Sequence, residues 1–209
     1  MDCVICNTPP KQICDRCAKT LPLKTRQVYR LGLPPGLACA DYSKQIPTLV
    51  KEFKNQGSIE LARVMAQSMA KALADDLAGT PTDRPHSVAL VPAPSRPIAN
   101  RQRGYKPAKL LASQVAVLLR AAGTTASVHD VLAAGRQVKD QAGLNSSERK
   151  QNLAGHMRLD SGVSLRLEQQ RLVLIDDVVT TGATLLEMSR VLGEAGLRPD
   201  RFLTFAEAL

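Results

Sequence analysis

Two adjacent carboxylates, Asp176 and Asp177, stand just before a segment rich in hydroxyls, which reads TTGAT over residues 180–184. Threonine hydroxyls and the free N–H groups of a helix N-terminus bind phosphate, and Gly182 lets the backbone approach a ligand closely. The carboxylates would repel that phosphate unless they accept hydrogen bonds from sugar hydroxyls or help to hold Mg²⁺. The pattern therefore indicates a ligand with a phosphate at one end and a diol or a metal at the other. The alternative is an ordinary strand–turn–helix in which these residues only cap the helix.

A strand and a helix must position these residues. The apolar run before the acids predicts a buried parallel strand over residues 171–175. After the TTGAT segment, apolar residues recur at helical spacing up to Gly196, which is suited to end a helix. The sequence thus predicts a loop that leads from the end of a strand into the start of a helix.

Four cysteines near the amino terminus, Cys3, Cys6, Cys14 and Cys17, have the spacing C-x2-C-x7-C-x2-C. Two such pairs can fold as two knuckles around one tetrahedral Zn²⁺. A site with four cysteines has no open coordination position, so we expect the zinc to be structural. Two disulfides or four free thiols are the alternatives, and a reducing compartment disfavours the disulfides. The remaining cysteine, Cys39, is interpreted as a small buried residue.

A basic segment follows a second apolar strand, which is predicted over residues 87–91. No acid occurs between residues 88 and 112. Cations placed after the end of a parallel strand are suited to bind pyrophosphate, and a solvated basic loop is the alternative. We expect Arg101 and Arg103 to contribute most, together with Gly104 and Tyr105, before a helix over residues 107–121. The cations of the segment are Arg96, Arg101, Arg103, Lys106 and Lys109.

Three further regions are interpreted from their local patterns. Residues 18–40 are rich in proline and glycine and predict a linker with a short strand near residues 27–31. Two helices follow, one from residue 46 to Gly57 and one over residues 58–77, and Lys54 is interpreted as a complement to the first helix dipole in preference to a ligand contact. Residues 133–156 predict a long polar loop, either an ordinary surface loop or one that closes over an anionic ligand. Its candidate ligand residues are Arg136, Lys139, Gln141, Arg149 and Asn152.

The composition limits the class of protein. A chain of 209 residues can form one good core with a small appendage. No apolar run is long enough to span a membrane and no signal peptide is evident, so we expect a cytoplasmic protein. The net charge of +9 favours a polyanionic partner, either a pyrophosphorylated small molecule or nucleic acid. Aromatic residues make up only 3%, which argues against extensive stacking on single-stranded bases.

Residues 172–184 resemble the phosphoribosyl-pyrophosphate (PRPP) signature of type I phosphoribosyltransferases. The four-cysteine pattern, the block VPAPSRPIANRQRGYKPAKLLA at 91–112 and the block QAGLNSSERKQNLAG at 141–155 extend this resemblance to the ComF family of competence-associated proteins. The resemblance implies that the two acids hold the ribose hydroxyls and that the following loop wraps the 5′-phosphate. The implied PRPP-binding residues are Asp176, Asp177, Val178, Val179, Thr180, Thr181, Gly182, Ala183 and Thr184.

Together these features predict an α/β fold of the type I phosphoribosyltransferase kind, with a mostly parallel sheet flanked by helices and preceded by a small zinc knuckle. The expected domains are residues 1–40, with the knuckle and linker, and residues 41–209. The resemblance implies an enzyme that binds PRPP or a related ligand with Mg²⁺, transfers phosphoribosyl to an acceptor and is linked to DNA uptake. Its expected catalytic residues are Asp176, Asp177, Arg101 and Arg103, with the arginines stabilising the leaving pyrophosphate. The alternative is a non-catalytic module of the competence machinery that handles single-stranded DNA or senses nucleotides.

Overall fold

The computed structural model describes residues 2–9, 12–79, 87–95, 104–134, 157–160, 167 and 169–208. Within these ranges helices and strands surround one large sheet, and residues 132–134 and 157–159 form a separate two-stranded sheet. The elements in chain order are α1 (Asp15–Lys19), β1 (Leu23–Val28), β2 (Gly36–Asp41), α2 (Ile46–Gln56), α3 (Ile59–Gly79), β3 (Val88–Pro92), α4 (Pro107–Ala121), β4 (Ala126–Val128), β5 (Leu132–Ala134), β6 (Met157–Leu159), β7 (Arg171–Val179), α5 (Ala183–Glu194) and β8 (Arg201–Glu207).

The large sheet has the strand order β1-β2-β8-β7-β3-β4. Strand β1 is antiparallel to β2, and every other neighbouring pair is parallel. The central strands β3 and β7 are apolar because both faces of a parallel sheet are covered by helices. The predicted α/β class with a mostly parallel sheet is therefore confirmed.

Two apolar clusters cover the two faces of the sheet. The first contains most of the buried apolar residues of α2, α3 and α4, together with Cys3, Ile13 and Cys17 from the amino-terminal segment. The second contains those of α5. None of the described helices is long and apolar enough to cross a membrane.

Strand β7 is longer than the sequence predicts, because it runs to Val179 and not only to residue 175. Its pairing with β8 continues through Val178, opposite Ala206, and Val179, opposite Glu207. The two acids therefore belong to the strand itself. This gives their backbone the fixed geometry of a central strand, which a loop would not provide.

The linker predicted over residues 18–40 contains the end of α1, all of β1 and most of β2 instead. Strand β2 pairs in parallel with β8 and thus joins the large sheet. Gly36 starts β2 because the ring of Phe202 lies only 2.1 Å from where a Cβ atom would stand, so only glycine fits. The division of the chain into domains at residue 40 remains a prediction.

Candidate functional site

Asp176 and Asp177 stand near the carboxyl end of β7, and their side chains point to opposite faces of the sheet. The backbone N–H of Asp177 donates to Asp176 Oδ1 at 2.9 Å. Both residues line an open cleft of about 370 Å³ at the carboxyl ends of β3 and β7. This edge is where parallel α/β sheets bind their ligands. The cleft is lined by Lys54, Ala93, Pro94, Ser95, Pro107, Ala108, Asp176, Asp177, Val178 and Thr184.

Lys54 is the one cation among the described residues that line this cleft, and its Nζ lies 2.8 Å from Asp177 Oδ1. Asp177 is only 6% exposed, so this ion pair is largely shielded on the acidic side. Burial lowers the pKa of Lys54, but the attraction of the Asp177 carboxylate outweighs it and the net pKa is raised. Lys54 does stand in the last turn of α2, where a cation complements the helix dipole. Its contact with the acid pair was not predicted.

The negative charge of Asp176 is less well compensated by nearby cations than that of Asp177, which pairs with Lys54. Burial, and then the charge of Asp177, raise the pKa of Asp176 to about 7, against the opposing effects of the Asp177 N–H and of Lys54. The single positive charge of Lys54 does not offset two carboxylates, so ionisation of both acids at once is unfavourable in the ligand-free protein. Perturbed carboxyl groups of this kind are typical of sites that bind a cationic or hydrogen-bonding ligand.

We expect Asp176→Asn to stabilise the ligand-free protein at pH 8. A carboxyl group whose pKa is raised on folding binds more protons in the folded state, so it weakens stability as the pH rises from about 4 towards 7. The free energy of unfolding of the variant should exceed that of the unmodified protein by on the order of 1–3 kcal/mol at pH 8, with no difference below pH 4. Urea unfolding across this pH range measures the difference. The exposed Asp75→Asn on α3 is the control, and a gain independent of pH would contradict the prediction.

The TTGAT segment forms the turn between β7 and α5. Gly182 has φ of +80° and is the N-cap residue of α5, and Leu186 N–H donates to its carbonyl oxygen at 2.9 Å. Thr181 Oγ1 accepts from Ala183 N–H at 3.4 Å. A Cβ atom on Gly182 would stand 3.0 Å from Leu33 Cδ1, which explains the glycine sterically as well as conformationally. The predicted strand–loop–helix arrangement is present, with exposed threonines at the start of a twelve-residue helix.

A second contact with this loop comes from the segment between β1 and β2. Arg30 Nε donates to the carbonyl oxygen of Thr180 at 3.4 Å, and the same guanidinium pairs with Glu207 at the end of β8. Glu207 also binds Arg26, with Nε 2.6 Å from Oε2. Burial raises the pKa of Glu207, but the two arginines outweigh it and lower the net pKa. Arg30 thus contacts the TTGAT loop from a region that the sequence predicts to be a linker.

Tyr105 connects the basic segment to the end of α2. Its hydroxyl lies 2.8 Å from the carbonyl oxygen of Phe53 and also contacts that of Lys54. Gly57 ends α2 with φ of +64°, and a Cβ atom there would stand 2.7 Å from the Tyr105 ring. The turn that carries Lys54 is therefore packed against Tyr105, which was among the residues expected to matter.

Gly57→Ala should destabilise the protein by roughly 2–4 kcal/mol, because it combines a left-handed backbone with an overlap against the Tyr105 ring. Gly123→Ala isolates the conformational part of this cost. Gly123 has φ of +86° and nothing within 4 Å of its added Cβ atom. Thermal unfolding of the two variants gives the comparison. Equal losses would mean that the contact with Tyr105 does not restrain the end of α2.

Two of the five predicted cations are engaged by an acid. Lys106 and Lys109 place their Nζ atoms 2.8 Å and 3.1 Å from Asp130 Oδ2. This pairing accounts for both lysines without a ligand. Arg96, Arg101 and Arg103 lie outside the described residues, as do Arg136, Lys139, Gln141, Arg149 and Asn152.

The four amino-terminal cysteines come together as the spacing predicts. Their sulfur atoms all lie within 4.8 Å of one another, and Cys6 Sγ is 3.7 Å from Cys14 Sγ. All four are free thiols. Four thiolates around one tetrahedral Zn²⁺, with bonds of about 2.3 Å, require separations of this size. The donor set therefore fits a single metal ion, as its chemistry predicts.

Fold and site together define an α/β protein with a mostly parallel sheet, an acid pair beside the TTGAT loop at its carboxyl edge, and an amino-terminal cluster suited to a metal. No protein-family model matches the chain. The chain is 26% identical over 201 residues to competence protein F of Haemophilus influenzae, and the match covers 94% of this chain and 79% of that protein. The chain is 27% identical over 199 residues to DNA utilization protein YhgH of Salmonella typhimurium, and this match covers 86% of the chain and 83% of that protein.

These relatives confirm the resemblance to competence-associated proteins that the motifs indicate. YhgH of Escherichia coli strain K12 is 25% identical over 179 residues and covers 86% of this chain and 70% of its own length. Among solved structures, a hypoxanthine-guanine phosphoribosyl transferase from L. donovani superposes with a TM-score of 0.41 and 18% identity, over 71% of each chain.

Proposed function

We propose that this protein binds PRPP or a related phosphoribosyl ligand together with Mg²⁺ and transfers the phosphoribosyl group to an acceptor. The observation that carries the proposal is the cleft in which the acid pair and Thr184 of the TTGAT loop meet at the carboxyl edge of the sheet. This cleft places hydrogen-bond acceptors for a diol beside the N-terminus of α5, which favours a phosphate.

In this proposal each group of residues has one task. Residues 180–184 bind the 5′-phosphate, and Asp176 and Asp177 accept hydrogen bonds from the ribose hydroxyls. Bound Mg²⁺ would neutralise negative charge on ligand oxygens next to these carboxylates. Arg101 and Arg103 would stabilise the charge that develops on the departing pyrophosphate as an acceptor attacks the anomeric carbon.

Pyrophosphate release tests the transfer reaction. The protein is incubated with PRPP and Mg²⁺, and purine and pyrimidine bases, simple amines and single-stranded DNA are added in turn as acceptors. Release that depends on one acceptor and falls at least about 100-fold in Arg101→Ala, the loss typical of one stabilising donor, supports the proposal. Lys24→Ala, an exposed cation on β1, is the matched control. Absence of release with every acceptor would count against the reaction.

We further propose that the four cysteines hold one structural Zn²⁺. The support is the donor set, since four thiolates at these separations leave no coordination position for a substrate. Mass spectrometry under native conditions measures the stoichiometry. We expect one zinc per chain.

A second candidate function is the handling of single-stranded DNA in DNA uptake. It is favoured by the relatives named for competence and DNA utilization and by the net charge of +9. Binding through phosphate contacts should weaken steeply with salt, with the slope of log affinity against log salt giving the number of contacts. Weak affinity that does not change with salt would exclude this function.

A further inference from the structure

Gln12, which lies between the two cysteine pairs, contacts the last turn of α2. Its side-chain Nε2 donates to Gln56 Oε1 at 2.7 Å, and its Oε1 accepts from the Ser58 hydroxyl. Its backbone N–H lies 3.3 Å from Glu60 Oε2. Gln12 is therefore hydrogen-bonded to the end of α2, to the link between the two helices and to the first turn of α3.

Gln12 is also hydrogen-bonded to the segment that carries the first two cysteines. Its carbonyl oxygen accepts from Val4 N–H at 2.9 Å, between Cys3 and Cys6. Two residues further on, Cys14 N–H lies 3.4 Å from Cys3 Sγ. Cys3 and Cys17 are buried in the same apolar cluster as Phe53 of α2. The position of Gln12 thus depends on the fold of the cluster.

The turn that Gln12 holds is also the turn that carries Lys54. Gln56 Nε2 donates to Glu52 Oε2 at 2.7 Å, which continues the hydrogen-bonded chain back along α2 past Lys54. The last carbonyl groups of a helix have no partner within the helix and the last turn frays readily. Here the turn is fixed by Gln12 on one side and by Tyr105 on the other.

We propose that the four-cysteine cluster positions Lys54 against Asp177 through Gln12, so that a metal in the cluster and a ligand in the acid-pair cleft are coupled. Gln12 acts here as a positioning residue. When the cluster holds its metal, Gln12 is fixed, the last turn of α2 is formed and the ammonium reaches the acid pair. When the metal is lost, the turn loosens and Lys54 no longer balances Asp177.

The coupling between the cluster and Lys54 can be tested without any phosphoribosyl ligand. Reductive ¹³C-methylation labels every lysine and keeps its charge, and Lys54 is assigned as the signal that is missing in Lys54→Arg. In the zinc-loaded protein we expect the Lys54 signal to titrate at higher pH than an ordinary lysine. In Gln12→Ala the Lys54 signal should titrate at lower pH, closer to an ordinary lysine. Gln67→Ala, on the exposed face of α3, should leave the titration of Lys54 unchanged.

A second variant separates positioning from loss of fold. Gln12→Glu keeps the shape of the side chain and an acceptor for the Ser58 hydroxyl, but it cannot donate to Gln56. We expect it to keep its zinc and its melting temperature within a few degrees, and still to shift the Lys54 signal. A Lys54 signal unchanged in both Gln12 variants would overturn the proposal.

The part of the inference that rests on the proposed function is tested by affinity for PRPP with Mg²⁺. Gln12→Ala should weaken binding about 5- to 20-fold, and PRPP should raise the affinity of the cluster for zinc in an equilibrium competition with a chelator, because coupling between the affinities of two sites is reciprocal. In Lys54→Met, the Gln12 substitution should have no further effect on PRPP affinity. Additive losses would mean that Gln12 does not act through Lys54. If the unmodified protein does not bind PRPP, the proposed function fails, while the lysine titration still decides the coupling.

Discussion

Replacing Cys3 and Cys17 together by serine should abolish the proposed zinc site and destabilise the protein more than any other substitution that we propose. Both cysteines are buried, at 0% and 6% exposure, among the apolar residues of α2 and α3. Structural zinc sites contribute their binding free energy to folding, since the unfolded chain has no preformed site. Because the rest of the core remains, we expect a loss of several kcal/mol rather than complete unfolding.

The measurement pairs a zinc analysis with a denaturant titration. Zinc should fall from about one ion per chain to a small fraction, and the unfolding midpoint should drop together with it. Cys39→Ser is the control, because Cys39 is also fully buried but lies in β2, outside the cluster. A double variant with its zinc and stability intact would mean that the cysteines are ordinary core residues.

Lys54→Met should have the second-largest effect. It keeps the apolar stem of the side chain but leaves the Asp177 carboxylate, which is 6% exposed, without its cation. An uncompensated buried charge costs several kcal/mol, but the lysine side chain is 37% exposed and water screens part of the interaction. We therefore expect a loss on the order of 1–3 kcal/mol at pH 8.

The origin of this loss is tested by a double-mutant cycle with Asp177→Asn. If the loss in Lys54→Met comes from the unpaired carboxylate, Asp177→Asn should recover most of it. Lys51→Met, an exposed lysine on the same helix, controls for the change of residue type and should alter stability by less than about 0.5 kcal/mol. Additive losses from Lys54→Met and Asp177→Asn would show that the two side chains do not stabilise each other.

The parts of the fold that could be predicted from the sequence are those with a strong local pattern. The helix expected over residues 107–121 is observed as α4 with these bounds, because its apolar residues recur at helical spacing and Pro107 starts it. The cysteine cluster follows from the spacing of the thiols, and the strand–loop–helix at the acid pair follows from the apolar run and the TTGAT segment.

The same rules indicate a strand near residues 27–31, which only overlaps the end of β1, and they give no sign of β2. Strand β1 is an edge strand whose residues are mostly exposed, so it lacks the alternation that marks a half-buried strand. Strand β2 consists largely of glycine and other small residues, which are poor strand formers, and is buried against Phe202. The place of β2 in the sheet is decided by its pairing with β8, whose residues lie more than 160 positions away, and β1 joins the sheet only through β2.

The site shows the same distinction between local and distant contacts. The type and order of Asp176, Asp177 and Thr180 indicate their chemistry. The contact of Lys54 with Asp177 joins residues 123 positions apart (177 − 54), and that of Arg30 with Thr180 joins residues 150 apart. The one signal in the sequence was a lysine in the last turn of a helix, which a dipole explains equally well. Only the packing of α2 on the sheet distinguishes the two interpretations.

The central claim is that the acid-pair cleft binds PRPP with Mg²⁺, and calorimetric titration tests it most directly. The unmodified, zinc-loaded protein is compared with the double variant Asp176→Asn plus Asp177→Asn, and thermal unfolding verifies that both are folded. We predict binding by the unmodified protein that requires Mg²⁺ and is lost in the double variant. Binding of equal strength in both proteins, or no binding by the folded, zinc-loaded protein, would contradict the claim.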